Sequence, residues 1–150
     1  MLVVRRMAHG VADHFQMRVS EWVMLVPTVG TALSLMWFPD MFDMSPSFAG
    51  LARWADESTW AIFAWLVAAM RVSALGVNGT FAAFPFSPHV RAGASAAGAI
   101  FWAEIAAGFL SALISDGGAP TGVNAYSTFV LLELVNVWRS FSDIGRQAAR

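Results

Sequence analysis

Three ionisable side chains stand inside long apolar runs: Arg71 alone within residues 59–78, Glu104 alone within 92–115, and Glu133 within 123–141, where the other charge, Arg139, lies near the end. A cation and two carboxylates isolated in this way have few chemical uses. They can neutralise one another, pass a proton, or be matched by groups on a second copy of the chain. Depth separates these options. At ~1.5 Å of rise per residue, Arg71 lies ~10 Å before Asn78 and Glu133 ~9 Å before Arg139. Glu104 lies ~20 Å beyond Arg91, close to the middle of its run. An Arg71–Glu133 ion pair is therefore expected, with Glu104 one to two turns further along.

Helical spacing sorts the neighbours of these residues, because positions three, four and seven apart share a face. Arg71, Leu75 and Asn78 fall in line with Trp60, Ala64 and Val67. Gly93, Ala97, Glu104, Gly108 and Ser111 form a second stripe, and Tyr126, Val130, Glu133, Asn136 and Ser140 a third. Lipid tolerates such semi-polar stripes when they face inward, so all three are expected inside. The small residues Gly93, Ala97, Gly98 and Gly108 let helix backbones approach closely. Three roles fit the charges: a structural lock, a proton or ion path using Glu104 with Arg71 and Glu133 as its inner gate, or a subunit interface.

Other constellations carry little chemistry. His9 and Asp13 stand four apart beside His14, but two ligands without a third do not make a metal site. His89 follows a proline and is expected in a loop. No Ser/His/Asp set shares a depth, and no phosphate-cradling glycine loop follows a strand. No catalytic residues, no metal and no cofactor are expected. The chain has no cysteine, which removes thiol nucleophiles and disulfides. A net charge of −1 leaves no electrostatic footprint for nucleic acid.

The elements that must position these residues follow from composition. In 150 residues, 57% are apolar and only 13% charged, against ~25% charged in a soluble domain. Mean hydropathy is +0.58. A water-soluble fold of this length needs more polar surface. The expected fold class is all-α: an integral membrane protein of four transmembrane helices, residues 22–38, 59–78, 92–115 and 123–141, in an antiparallel bundle. Pro27 predicts a kink in the first span. Residues 39–58 read as a loop whose Phe42, Phe48, Leu51 and Trp54 rest on the membrane surface, and 79–91 as a second loop at headgroup level. Residues 1–20, with Arg5, Arg6 and Arg18, read as a short amphipathic surface helix or a basic tail. A signal peptide with Ser47-Phe48-Ala49 at its cleavage site is the remaining reading. All cations are arginines, and they concentrate in both termini and at Arg91, so the positive-inside rule puts both termini in the cytoplasm.

At residues 71–79 (RVSALGVNG) and 87–91 (SPHVR), followed by the small-residue run ending in Phe101-Trp102, the chain resembles small membrane proteins encoded by tailed phages, some of them holin-like. The resemblance covers roughly residues 70–102. It implies a protein of the bacterial inner membrane that forms homo-oligomers in the lipid bilayer and opens lesions. Two further readings come from the residues themselves: a small channel or transporter centred on Glu104, and a non-catalytic membrane scaffold. None of the three is an enzyme.

Overall fold

Pro27 decides how the first apolar run is built. It has no N–H to give, and its ring crowds the carbonyl four residues back. The helix accordingly divides one turn earlier, at Met24, into α1 (Val19–Val23) and α2 (Leu25–Trp37). The Thr28 hydroxyl donates to the Met24 carbonyl at 2.7 Å, satisfying an oxygen at the break. The structure, a computed structural model, describes residues 18–80, 84 and 86–149, without the side chains of 78–80. Most of the expected N-terminal surface helix, with His9, Asp13 and His14, lies outside the described residues, as does the Asn78 side chain.

Every regular element among the described residues is helical. Beyond α2 the chain makes two 3-10 turns, Met41–Met44 and Pro46–Phe48, and a single helical turn, α3 (Ala49–Ala52). Three long helices follow: α4 (Glu57–Thr80), α5 (Ser87–Ser115) and α6 (Pro120–Ala148). Three stretches are long and apolar enough to cross a membrane: Val19–Trp37, Glu57–Val77 and Ser87–Ser115.

Local chemistry sets the helix ends. The Asp56 carboxylate accepts from the Thr59 N–H at 2.8 Å and caps α4. Its pKa lies below the ordinary carboxylate range, chiefly through hydrogen bonds from the Thr59 hydroxyl and then the Thr59 N–H. Pro88 and Pro120 occupy first turns, where a missing N–H costs nothing. Between α5 and α6, Gly117 takes φ of 72°, a left-handed conformation suited to glycine, and the Gly118 N–H returns to the Ala112 carbonyl at 3.0 Å. That tight turn lays α6 directly along α5, the most extensive helix contact in the molecule.

Two expectations about loops are corrected here. Helix α5 begins at Ser87, so Pro88–Arg91 is helical rather than part of a headgroup-level loop. The connection before α4 does not rest on the outside either. Phe42 and Leu51 are buried, and Phe48 meets Phe109 edge-on at 5.3 Å. Gly50 lies so close to the Gly108 backbone that no Cβ would fit. The small size of both glycines lets this segment plug the end of the helices, leaving Trp54 outside at 77% exposure. Between them, α2 packs on α4, α4 on α5, α5 on α6, and α1 returns to α6. The apolar core at their centre is dominated by Trp60, Phe101, Trp102, Ile105 and Phe109.

Candidate functional site

Charged and polar side chains are buried beside the apolar core, and many large apolar side chains lie on the exterior. Arg71 is 2% exposed and Glu133 0%. Glu21, Arg91, Ser95, Asn136 and Ser140 are also buried, whereas Ile62, Leu66, Val72, Leu131, Leu134, Trp138 and Phe141 are exposed. Paired charges buried in this number, under an exterior this rich in large apolar side chains, are unusual in a water-soluble fold.

The buried polar groups form a spine of two linked parts. In the deeper part, Nη2 of Arg71 on α4 donates to both carboxylate oxygens of Glu133 on α6. Asn136 donates to Glu133 at 3.4 Å, and the Ser20 hydroxyl of α1 donates to the Asn136 oxygen at 2.6 Å. Arg139 in turn donates to Ser20 at 3.1 Å. Helix α5 makes room for the pair at Gly98: a Cβ there would stand 2.8 Å from the Glu133 carboxyl carbon and 2.9 Å from Arg71 Nη2. Asn136 interrupts any proton path along this chain, because an amide cannot relay a proton without tautomerising. The chemistry is that of a lock. Breaking a buried pair by removing one partner costs ~3–5 kcal/mol, since the survivor is left uncompensated.

The second part of the spine lies at the start of α5. Arg91 Nε donates to Glu21 at 3.0 Å, and Nη1 donates to Asp143 at 2.8 Å. Arg91 Nη2 also reaches Glu21, and Arg146 reaches Asp143. Arg18 stands 3.8 Å from Glu21. One guanidinium thus joins the first helix to the last. Sequence reading placed Arg91 in a loop and passed over Glu21 and Asp143. The signal was present: Arg91, Ser95, Gly98 and Trp102 share a helix face, and Asp143 continues the Glu133, Asn136, Ser140 stripe by one more step of three.

The expected stripes fare differently. Trp60, Ala64, Val67, Arg71 and Leu75 are buried together, and Glu133, Asn136 and Ser140 face inward. The stripe of α5 is corrected. Gly93 and Glu104 are exposed and Ala97 is half-buried, while Arg91, Ser95, Gly98, Trp102, Ile105 and Phe109 form the buried face. The reason is competition for the interior. Burying the rings of Trp102 and Phe109 and pairing Arg91 outweighs burying small residues and one carboxylate. Trp102 is 0% exposed and stacks on Tyr126 at 5.8 Å. Gly98 and Gly108 serve close approach within the chain, against the ion pair and against α3. Gly93 has nothing within 4 Å of a would-be Cβ.

Glu104 therefore sits apart from the spine. It lines an outward-opening groove of about 670 Å³ between α4 and α5, together with Trp54, Trp60, Phe63, Val67 and Phe101. Arg53 lies toward the end of α5, held by Asp116 at 2.9 Å and Ser111 at 3.0 Å. No family model, curated protein or solved structure matches the chain.

Proposed function

We propose that the protein is a multi-pass protein of the bacterial inner membrane that self-associates in the bilayer and opens it, as holin-like proteins of tailed phages do. The observation that carries the membrane half of this reading is the combination of charges paired inside with large apolar side chains uncovered outside.

The reading includes α6 as a fourth span, antiparallel to α5, with both termini cytoplasmic. Its average hydropathy is lowered by Glu133, Asn136 and Ser140, yet these are its buried residues. Over residues 131–141, what α6 offers the outside is Leu131, Leu134, Val135, Trp138 and Phe141. A helix with its polar stripe covered by protein and its apolar stripe uncovered suits lipid better than water. Its 29 residues reach ~44 Å, enough for a ~30 Å hydrocarbon core.

Self-association is supported by the uncovered side of α5 away from the groove, where Gly93 and Ala103 are exposed and Ala96 half-buried. Small residues on a lipid-facing helix let a second helix approach closely. Induced expression in a bacterium should halt growth and collapse the membrane potential after a reproducible delay. Cultures that keep growing with the protein in their membranes would end this reading. Gly93→Leu with Ala103→Leu should lengthen the delay or abolish the growth arrest while the protein still accumulates.

A second reading, a small channel or transporter centred on Glu104, is favoured by that carboxylate's position outside the packed interior near mid-helix. Glu104→Gln should then abolish ion flux into liposomes, and unchanged flux would remove Glu104 from such a role.

A further inference from the structure

The groove beside Glu104 combines features that lipid contact alone does not require. Its walls are aromatic: Trp54 and Trp60 with Phe63 from one side, and Phe101 of α5 from the other. Trp60 and Phe101 lie 6.4 Å apart by ring centroids, and Trp60 and Phe63 6.3 Å apart. Its volume of about 670 Å³ falls within the ~300–1,000 Å³ of small-molecule sites. Among the described residues lining it, Glu104 is the sole ionisable one.

A carboxylate near mid-depth in a membrane demands a countercharge, a proton or a polar neighbour. Among the described residues Glu104 has no ion pair and no hydrogen bond. Among the described residues within the spans, a second copy of the chain offers no free cation at this height. Arg71 and Arg91 are buried and committed to Glu133, Glu21 and Asp143, and Arg53 is held by Asp116 near the end of α5. A zwitterionic lipid would not supply one either. Its ammonium group stays in the interfacial layer, whereas Glu104 lies ~17 Å along α5 from Ser115.

We propose that the groove is a binding site for a hydrophobic organic cation, an amine or quaternary onium compound of drug size, with Glu104 as the counter-ion and Trp60, Phe63 and Phe101 as its aromatic walls. The physics is additive. Aromatic faces attract a cation by their quadrupole, most strongly when water is excluded. The carboxylate adds a full charge in the same low-dielectric space. An apolar body on the cation fills the rest of the groove, which is why inorganic cations do not suit it.

The inference concerns the same carboxylate as the channel reading but needs neither transport nor self-association. Binding is measured on the purified full chain in non-ionic detergent micelles, where there is no flux to observe. The probe is tetraphenylphosphonium, followed by quenching of tryptophan emission and by equilibrium dialysis, with tetraphenylborate as an anion of matching shape. Saturable binding of the phosphonium at one per chain is expected, with none above micelle partitioning for the borate. Glu104→Gln should weaken phosphonium binding by ~10-fold or more. Trp60→Phe should weaken it less, because a smaller aromatic face remains. Equal binding of both probes, or phosphonium binding unchanged in Glu104→Gln, would overturn the proposal. So would near-complete cross-linking of Ala107→Cys chains in membranes, since a second copy would then occupy the groove. The native chain has no cysteine, so that label is unique.

Discussion

Glu133 and Glu104 are the same side chain, each on a long helix beside the other's, and they live in opposite circumstances. Glu133 is sealed: 0% exposed, bonded to Arg71 and Asn136, with Gly98 of the neighbouring helix cut back to admit it. Glu104 lies in a groove open to the outside, with rings around it and no partner among the described residues. Folding uses the first and leaves the second available. A buried charge commits a protein to one arrangement of helices, because every alternative leaves it unpaired. An exposed charge in an apolar wall commits it to nothing until a ligand arrives. The contrast separates what holds this chain together from what it can offer a partner.

The sharpest way to break that contrast is to remove one side of the sealed pair. Glu133→Leu should cost ~3–5 kcal/mol, leaving Arg71 buried without a counter-ion. Unfolding of the detergent-solubilised chain by a denaturing detergent, followed by helix signal, reads the loss. Adding Arg71→Met to Glu133→Leu should recover most of it, because an apolar pair of similar volume needs no desolvation. If the double variant is as damaged as the single one, the pair is more than a mutual neutralisation.

A smaller effect is expected at the glycine that accommodates the pair. Gly98→Ala places a methyl group 2.8 Å from the Glu133 carboxyl carbon, inside van der Waals contact. Overpacking of this kind costs ~1–3 kcal/mol, partly offset by the ~1 kcal/mol helix preference of alanine. On the open side of the same helix, Gly93→Ala meets nothing within 4 Å and should stabilise through helix preference alone. Opposite signs at two glycines on one helix would locate the sealed side without any structure determination. Equal signs would mean that the two faces are not as different as their packing.

Smaller still is the contribution of the Asp56 cap, which belongs to neither region and calibrates both. Hydrogen bonds from Thr59 lower its folded pKa, so the unfolded chain binds the proton more readily. Its stabilisation is present above the unfolded value of ~3.9 and is lost as pH falls through the lower folded value. Asp56→Asn keeps a capping side chain without a titrating group. The stability difference between this variant and the wild-type chain should be constant above about pH 5 and drift in favour of Asn below ~4. A difference independent of pH would mean that the carboxylate charge adds nothing to the cap.

Much of the sealed region was legible before any coordinates. Arg71 and Glu133 announce their pairing because each is a charge set well inside an apolar run and both lie ~9–10 Å from the same end. Face arithmetic then carries Trp60, Ala64, Val67 and Leu75 inside with Arg71, and Asn136 and Ser140 inside with Glu133. The open region was not legible, and the reason is physical. On α5 two stripes compete for the interior. One carries small residues and Glu104; the other carries Arg91, Ser95, Gly98, Trp102 and Phe109. Counting polarity alone favours the first, whereas ring volume and the partners waiting for Arg91 on α1 and α6 favour the second. Those partners, Glu21 and Asp143, lie 70 and 52 residues from Arg91, so no local spacing reports them. The plugging segment was misread for a related reason. Phe42, Phe48 and Leu51 look like surface apolar residues until Gly108 and Phe109 are seen opposite this segment.

The smallest stability effect is expected where part of the functional interest is greatest. Glu104→Gln removes a charge with no partner among the described residues and leaves the side-chain volume nearly unchanged. Substitutions at sites without special contacts usually stay within ~0.5 kcal/mol. The variant should therefore unfold in denaturing detergent almost as the wild-type chain does, while Glu133→Gln, which keeps volume but loses the ion pair, should not. The comparison is informative because both changes are chemically identical. A loss of several kcal/mol at Glu104 would mean that it is already paired, for instance with a group in residues 1–17, and that the groove is part of the lock. Near-neutrality at Glu104 with heavy loss at Glu133 would establish that one carboxylate maintains the fold and the other is free to bind.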